Sequence, residues 1–400
     1  MKQLLTDFLS YVKIDTQSDE ESSSTPSSLK QYDLLYLLEK ELKQYGLVTS
    51  LDEYGRLYAH LKGNSSLTPI GLCAHVDTAL EASGKDAHPL ITYNYDGKDI
   101  LLGESKLVLS PNEFPHLKDC LGKTIISTDG TTLLGADDKA GIAIIMETIR
   151  NVLLLEENSR HPLSVLFTPD EEIGRGPEHF SKEKFGVKFA YTIDGASPYL
   201  ISFENFNAKA IDIHVIGKSI HPGEGKGKLL NASLLLNDFI DLLPKKMTPF
   251  YTSDREGFNH LVSIKGDVEN AYASFILRNH DKELLDKQVL DFLNAKAFIE
   301  EKYKGVQVDL VVKDQYKNML EVIQKHPECK DTIEQIYHKL NVPFSYEATR
   351  GGTDGATFSF LGVPTPNLGT GSYNHHGRYE YAVLEEMELM SKILTELFKN

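Results

Sequence analysis

Apolar residues in the first half of this chain fall by turns into short continuous runs and longer helix-period runs, and that alternation restricts the fold more than any other feature. "PIGLCAHVD" (residues 69–77), "LSVLFTPDEE" (163–172) and "FAYTIDG" (189–195) read as buried strands, whereas "AGIAIIMETIRNVLLLEE" (140–157) has the spacing of a helix. Strands alternating with helices predict an α/β domain built on a mostly parallel sheet. The rhythm changes near residue 207. "AKAIDIHVIG" reads as a half-buried strand, "LLNASLLLNDFIDLLP" as a helix, "HLVSIKGDVENAYASFILRNHD" as two strands around Gly266-Asp267, "KELLDKQVLDFLNAKAFIEEKY" as a helix and "VQVDLVV" as a strand. That β-α-β-β-α-β order predicts a ferredoxin-like α+β unit over residues 207–315, inserted between 1–206 and 316–400 of the larger domain. The α/β pattern resumes with "GVPTPNLGTG" as a last strand and "LEEMELMSKILTELFKN" as a closing helix.

Bulk properties exclude several classes. Of the 400 residues, 58 are acidic and 42 are Lys or Arg, and the net charge of -16 opposes nucleic acid or an anionic membrane as partner. No apolar run approaches the roughly 18 residues of a membrane span. The first residues place Leu5, Leu9 and Val12 on one face, as an amphipathic helix does and a signal peptide does not. Cys73, Cys120 and Cys329 are widely separated and odd in number, so neither a disulfide framework nor a thiolate zinc site is expected, and a reducing cytoplasm fits. "DTQSDEESSSTPSSLK" (15–30) reads as a solvated loop.

Polar residues of metal-binding type cluster where strands end. "GLCAHVD" ends in His75 and Asp77, "SVLFTPDEE" in Asp170, Glu171 and Glu172, and "FAYTIDG" in Asp194, while the strand after Val363 leads to His375 and His376. Ligands of open α/β sheets bind outside the carboxyl ends of the strands, so these groups are expected to converge. Asp137 and Asp138, adjacent at a helix start, join them. Each piece alone has an ordinary reading: Asp138 as a helix N-cap, the Glu pair as surface charge, the His pair as loop residues. Together, histidine and carboxylate without thiolate suit Zn(II), or Mn(II) and Co(II). Two adjacent divalent ions would account for so many carboxylates and hold a bridging one ionised beside a like charge.

The strings "AHVDT", "ISTDGTTLLGADDKAG", "FTPDEEIGRG", "YTIDG", "IHPG", "RGGTDGA" and "YNHHG" resemble the peptidase T family of tripeptide aminopeptidases, within the di-zinc superfamily that includes aminoacylases and glutamate carboxypeptidases. The likeness runs from about residue 10 to 395, and the long Asp-Asp string is its most specific part. It implies that His75 and Asp194 hold one zinc, Glu172 and His376 the other, and Asp137 both, with a cis Asp137–Asp138 peptide bond. It implies further that Asp77 orients His75 and that Glu171 is the general base taking a proton from water. The same likeness selects His376 over His375 as ligand and assigns His375 to packing or lining. His221, of "SIHPG", becomes the candidate donor to the carbonyl oxygen, supplied across a homodimer by the lid. Arg278 and Arg350 are candidate clamps for the terminal carboxylate of a tripeptide. The rivals are a dipeptidase, carboxypeptidase or N-acyl amidohydrolase of the same superfamily, and a peptide-binding protein without activity. A two-metal phosphoesterase is disfavoured, since "GEGKGKLL" lacks the phosphate-loop spacing.

Overall fold

Four parallel strands lie side by side at the centre of an eight-stranded sheet: Leu163–Thr168, Ile70–His75, Phe189–Gly195 and Asn367–Gly369. They are the four runs whose polar ends were singled out above. Antiparallel strands extend the sheet on both sides, Leu57–Leu61 and Val48–Leu51 on one, Leu200–Asn205 on the other, with Ser345–Thr349 beyond it. This computed structural model describes residues 2–400.

Every residue of the two strands Ile70–His75 and Leu163–Thr168 is buried, because both faces of the sheet are covered. Successive side chains point to opposite faces. Leu72, Ala74, Val165 and Phe167 join the large core with Ile142, Ile145 and Ile149 of helix Ala136–Leu153, while Cys73 and Leu166 join a smaller one with Phe185, Phe358 and Val363. The helix crosses so close to the sheet that no Cβ fits at Gly141, where it would strike the Ile193 carbonyl and the Asp138 carboxylate. The N-terminal helix Gln3–Tyr11 buries Leu4, Leu5, Phe8 and Tyr11, followed by Val12. Leu9, expected on that face, lies at its margin because Phe8 and Tyr11 take the contact.

Several elements lie outside the sequence reading, among them the antiparallel flanking strands and two sets of very short strands. A four-stranded sheet runs in the order Ser372–Tyr373, Tyr381–Val383, Ile125–Ser127, Leu90–Thr92, and a hairpin pairs Ile100–Leu102 with Leu107–Leu109. Strands of two or three residues are too short to show a period.

The chain divides into two compact units, the first comprising Met1–Phe203, Met319–Glu347 and Thr353–Asn400, the second Glu204–Asn318 and Ala348–Gly352. The second unit is a four-stranded antiparallel sheet in the order Phe258–Gly266, Asn270–Asn279, Asn207–Ile216, Gln307–Tyr316, joined by helices Ala232–Asp241 and Lys282–Lys302. This is the ferredoxin-like order. Its core gathers Ile211, Val215, Leu236, Phe239, Phe275 and Phe292. The unit also takes in 348–352, which the sequence reading left with the larger domain, so Arg350 belongs to it. Among the described residues no helix is long and apolar enough to cross a membrane.

Candidate metal centre

The carboxyl ends of the four parallel strands bring five of the named groups together. His75 closes its strand and Asp194 stands one residue from the end of the next. Leu163–Thr168 leads into the short turn Glu171–Ile173, and the chain beyond Asn367–Gly369 reaches a turn in which Asn374 (φ 57°) and His376 (φ 64°) are left-handed. The Asp137–Asp138 peptide bond is cis. The Asp137 carboxylate faces two ways. Its Oδ1 lies 2.9 Å from His75 Nε2, which is 3.6 Å from Asp194 Oδ1. Its Oδ2 lies 3.4 Å from His376 Nε2, which is 3.1 Å from Glu172 Oε2. Donor atoms of His75, Asp137 and Glu172 all fall within 4.8 Å of one another, as do those of His75, Asp138 and Asp194.

Neighbouring side chains fix this arrangement. Asp77, fully buried, accepts from His75 Nδ1 at 3.2 Å and from the backbone N–H groups of Glu171 at 3.0 Å and Glu172 at 3.1 Å. One carboxylate thus orients the imidazole and caps the turn that carries both glutamates. Asp138 Oδ1 accepts from Gly141 N–H at 3.2 Å, the N-cap expected of it, and its Oδ2 accepts from His75 N–H at 3.3 Å. Asp170 adopts φ 59°, and its carboxylate accepts from Ser27 N–H (2.7 Å), Ser27 Oγ (2.5 Å) and Gln31 Nε2 (2.6 Å). The segment 15–30 is therefore no plain solvated loop. Ser18 and Ser27 are buried, and Ser18 Oγ donates to Asp77 Oδ2 at 2.9 Å. A serine-rich composition does not reveal which hydroxyls have buried partners. His375 is more than lining: its Nδ1 lies 3.5 Å from Asp137 Oδ2 and its Nε2 2.9 Å from Ser372 Oγ.

Burial pushes the carboxyls of Asp138 and Glu171 well above the ordinary range, and Asp194 upward. For Glu171 the carboxylates of Asp194, Asp354 and Glu172 add to that effect. Glu172, also buried, is pushed up to about 7. Burial raises Asp137 too, but the neighbouring imidazoles of His375, His376 and His75 outweigh it and hold this carboxyl well below its usual range. Burial disfavours a charged His75, yet its bonds to Asp137, Asp194 and Asp77 keep it well above 6.5, and bonds to Asp137 and Glu172 raise His376 to about 11. Without cations, these shifts favour charged imidazoles beside an ionised Asp137 and oppose ionisation of the other buried acids. Glu172 Oε1 is buried and lacks a hydrogen-bond partner. An orphaned carboxylate oxygen beside two imidazoles and a two-faced aspartate fits divalent cations.

Residues 130–400 match the model of peptidase family M20/M25/M40. The chain belongs to that family. It is 44% identical over 402 residues to peptidase T of Desulfitobacterium hafniense, covering 100% of this chain and 98% of the relative. Its fold matches the crystal structure of aminopeptidase PepT from Bacillus cereus with TM-score 0.75 at 20% identity, covering 99% of this chain and 97% of that one. A dinuclear metal-binding M20 peptidase of Bacillus subtilis matches with TM-score 0.62 at 13% identity, covering 98% and 96%. The M20/M25/M40 match begins at residue 130 and so includes the Asp137-Asp138 pair, the Glu pair, Asp194 and the His pair.

The three remaining site candidates of this M20/M25/M40 chain lie in the second unit. His221 is exposed, and its Nδ1 accepts from the backbone N–H of Gly223 at 3.2 Å. Arg278 is buried over the ring of Tyr316 and donates to Gln315 Oε1 at 2.8 Å, with no carboxylate in ion-pair range among the described residues. Arg350 donates to the backbone oxygens of Asp254 (2.7 Å) and Glu256 (2.9 Å) and to Thr252 Oγ1 (3.2 Å), above Phe206 and Phe258. In the first unit, sequence reasoning missed Asp354, buried and bonded to Thr168 Oγ1 at 2.9 Å, and Glu380. Asp354 lies inside the family-like string "RGGTDGA", which was the signal available for it, whereas Glu380, a lone acid just before the short strand Tyr381–Val383, had none.

Proposed function

We propose that this chain is a zinc-dependent aminopeptidase that releases the N-terminal residue of tripeptides, working as a homodimer in the cytoplasm. The observation carrying this reading is the split Asp137 carboxylate, with one oxygen toward His75 and Asp194 and the other toward His376 and Glu172. On this reading His75 and Asp194 hold one cation, Glu172 and His376 the other, and Asp137 both. Two Zn(II) ions, or Co(II) or Mn(II) in their place, would acidify a water and polarise a carbonyl when bound. Four positive charges also suit a site whose buried carboxyls outnumber its imidazoles. Asp77 keeps His75 in the tautomer that presents Nε2.

Glu171 is the general base in this proposal. Its carboxyl is buried beside the ligand set and its backbone is fixed by Asp77, so it takes the proton of the attacking water and returns it to the departing amine. His221, furnished by a second copy of the chain, donates to the developing oxyanion. Arg278 binds the peptide carboxylate: neither arginine has a carboxylate partner among the described residues, but both terminal nitrogens of Arg350 are spent on the 252–256 loop. The name peptidase T, borne by a relative 44% identical over its full length, supports the tripeptide assignment.

The test is hydrolysis of a panel of di-, tri-, tetra- and N-acetylated peptides before and after dialysis against a chelator, with metal counted per chain. Two ions per chain, preference for free tripeptides and recovery on adding Zn(II) are expected. Cleavage of acetylated peptides, or full activity in the metal-free protein, overturns the reading.

A further inference from the structure

Glu380 is 1% exposed, and its carboxylate reaches the loop before Asp137. Oε2 accepts the backbone N–H of Leu134 at 2.8 Å and of Gly135 at 2.7 Å, while Oε1 accepts that of Asp137 at 2.9 Å. These donors lie in the turn just before the regular helix, whose N-cap is Asp138, and a side chain 243 positions from Asp137 holds that turn. Gly135, at φ 75°, bends the chain so that the three N–H groups converge on one carboxylate. Four residues before Glu380 stands His376. The intervening turn is tied by Asn374 Nδ2 to the Tyr379 carbonyl at 3.1 Å, and Tyr381–Val383 then enters the small sheet beside Ile125–Ser127. One rigid segment therefore carries the His375-His376 pair at one end and the clamp on Asp137 at the other.

We infer that Glu380 is a positioning residue: it sets the distance between the bridging carboxylate of Asp137 and His376, so that two cations fit between their ligands. The inference rests on the two-metal reading proposed above. The regular helix already has its N-cap in Asp138, so the three bonds to Glu380 are not needed to cap it; they hold the backbone that presents Asp137. The string "TTLLGADD", the most specific part of the family likeness, is the stretch whose backbone Glu380 holds.

The experiment compares wild type with Glu380→Gln and Glu380→Ala. Metal affinity is measured by Zn(II) and Co(II) titration against a competing chelator, together with the thermal midpoint of the metal-free proteins and kcat and KM for a tripeptide. Replacing a group that orients ligands costs about 10–100-fold in metal affinity. The expected loss in affinity for the weaker-held ion is about tenfold for Gln, which keeps one acceptor oxygen, and nearer 100-fold for Ala. The drop in kcat should recover at saturating metal, with KM little changed. A purely structural cap would instead lower the metal-free midpoint and leave affinity untouched. Unchanged affinity in both variants overturns the inference, and so does failure of both to fold, since the carboxylate then serves the fold. If wild type itself binds no metal, the two-metal reading fails first, which distinguishes the two failures.

Discussion

The metal-site groups of the first unit and His221 of the second are held in opposite ways. In the first, His75 has partners on both ring nitrogens, Asp77 receives from three backbone or imidazole donors and one hydroxyl, and Asp137 contacts three histidines. In the second, His221 is exposed and touches only its own turn. Over-determined groups belong to chemistry that must be in place before substrate arrives, since preorganised dipoles cost nothing at the moment of reaction. A group with no fixed partner depends on what binds to it.

That contrast is easiest to break with its two extreme members. Glu171→Ala should lower kcat by about 10²–10⁴-fold, the usual worth of a general base, with metal content unchanged. His221→Ala should cost about 10²–10³-fold, as for one lost oxyanion donor, again with metal retained. Mixing His221→Ala chains with Glu171→Ala chains should restore part of the activity, because a mixed dimer pairs one intact base with one intact histidine. No recovery on mixing would show that His221 does not act across subunits.

Legibility in the sequence follows the same division. The four parallel strands were readable because continuous apolar runs ended in groups with nothing apolar about them, as in "GLCAHVD" and "FAYTIDG". The ferredoxin-like unit was readable because its strands and helices are long enough to show a period. Ser18, Ser27, Asp354 and Glu380 were not. Their importance lies in which backbone N–H or carboxylate they meet in space, 59 residues away for Ser18 and Asp77 and 143 for Ser27 and Asp170. Neither composition nor spacing records such a meeting. Arg278 and Arg350 were indistinguishable as letters; in space Arg278 donates through Nη1 to the Leu277 carbonyl and Gln315, and Arg350 through both Nη1 and Nη2 to the 252–256 loop.

The two arginines sharpen the comparison within the second unit. Arg278→Ala should lower kcat/KM for free tripeptides by about 10–100-fold, the equivalent of one charged hydrogen-bonded pair, and spare tripeptide amides. Arg350→Ala should affect both substrates alike and lower the melting temperature, since the change frees the 252–256 backbone. Equal discrimination between acid and amide in both variants would return the two residues to equal standing.

The smallest effect expected is a difference in pH dependence between the units of the metal-free protein. Burial raises Glu172 from 4.5 and Asp354 from 3.8 to about 7, so the folded first unit keeps protons that the unfolded chain has already lost. Stability from these groups is complete below about pH 4 and drains away as pH climbs toward 7, because the folded state binds more protons across that window. In the second unit burial lowers His280 below its ordinary 6.5, the opposite case: the unfolded chain takes up the extra proton, and stability grows as pH passes from the depressed value to 6.5. Hydrogen exchange resolved along the chain reads both at once. Between pH 5 and 7.5, after correction for the intrinsic exchange rate, amides of Ile70–His75 should open more readily and those of Asn270–Asn279 less. Zn(II) should abolish the first trend alone, since bound cations favour the ionised carboxylates that burial opposes. Parallel trends in the two strands would mean that the buried acids of the strand ends do not govern how the first unit opens.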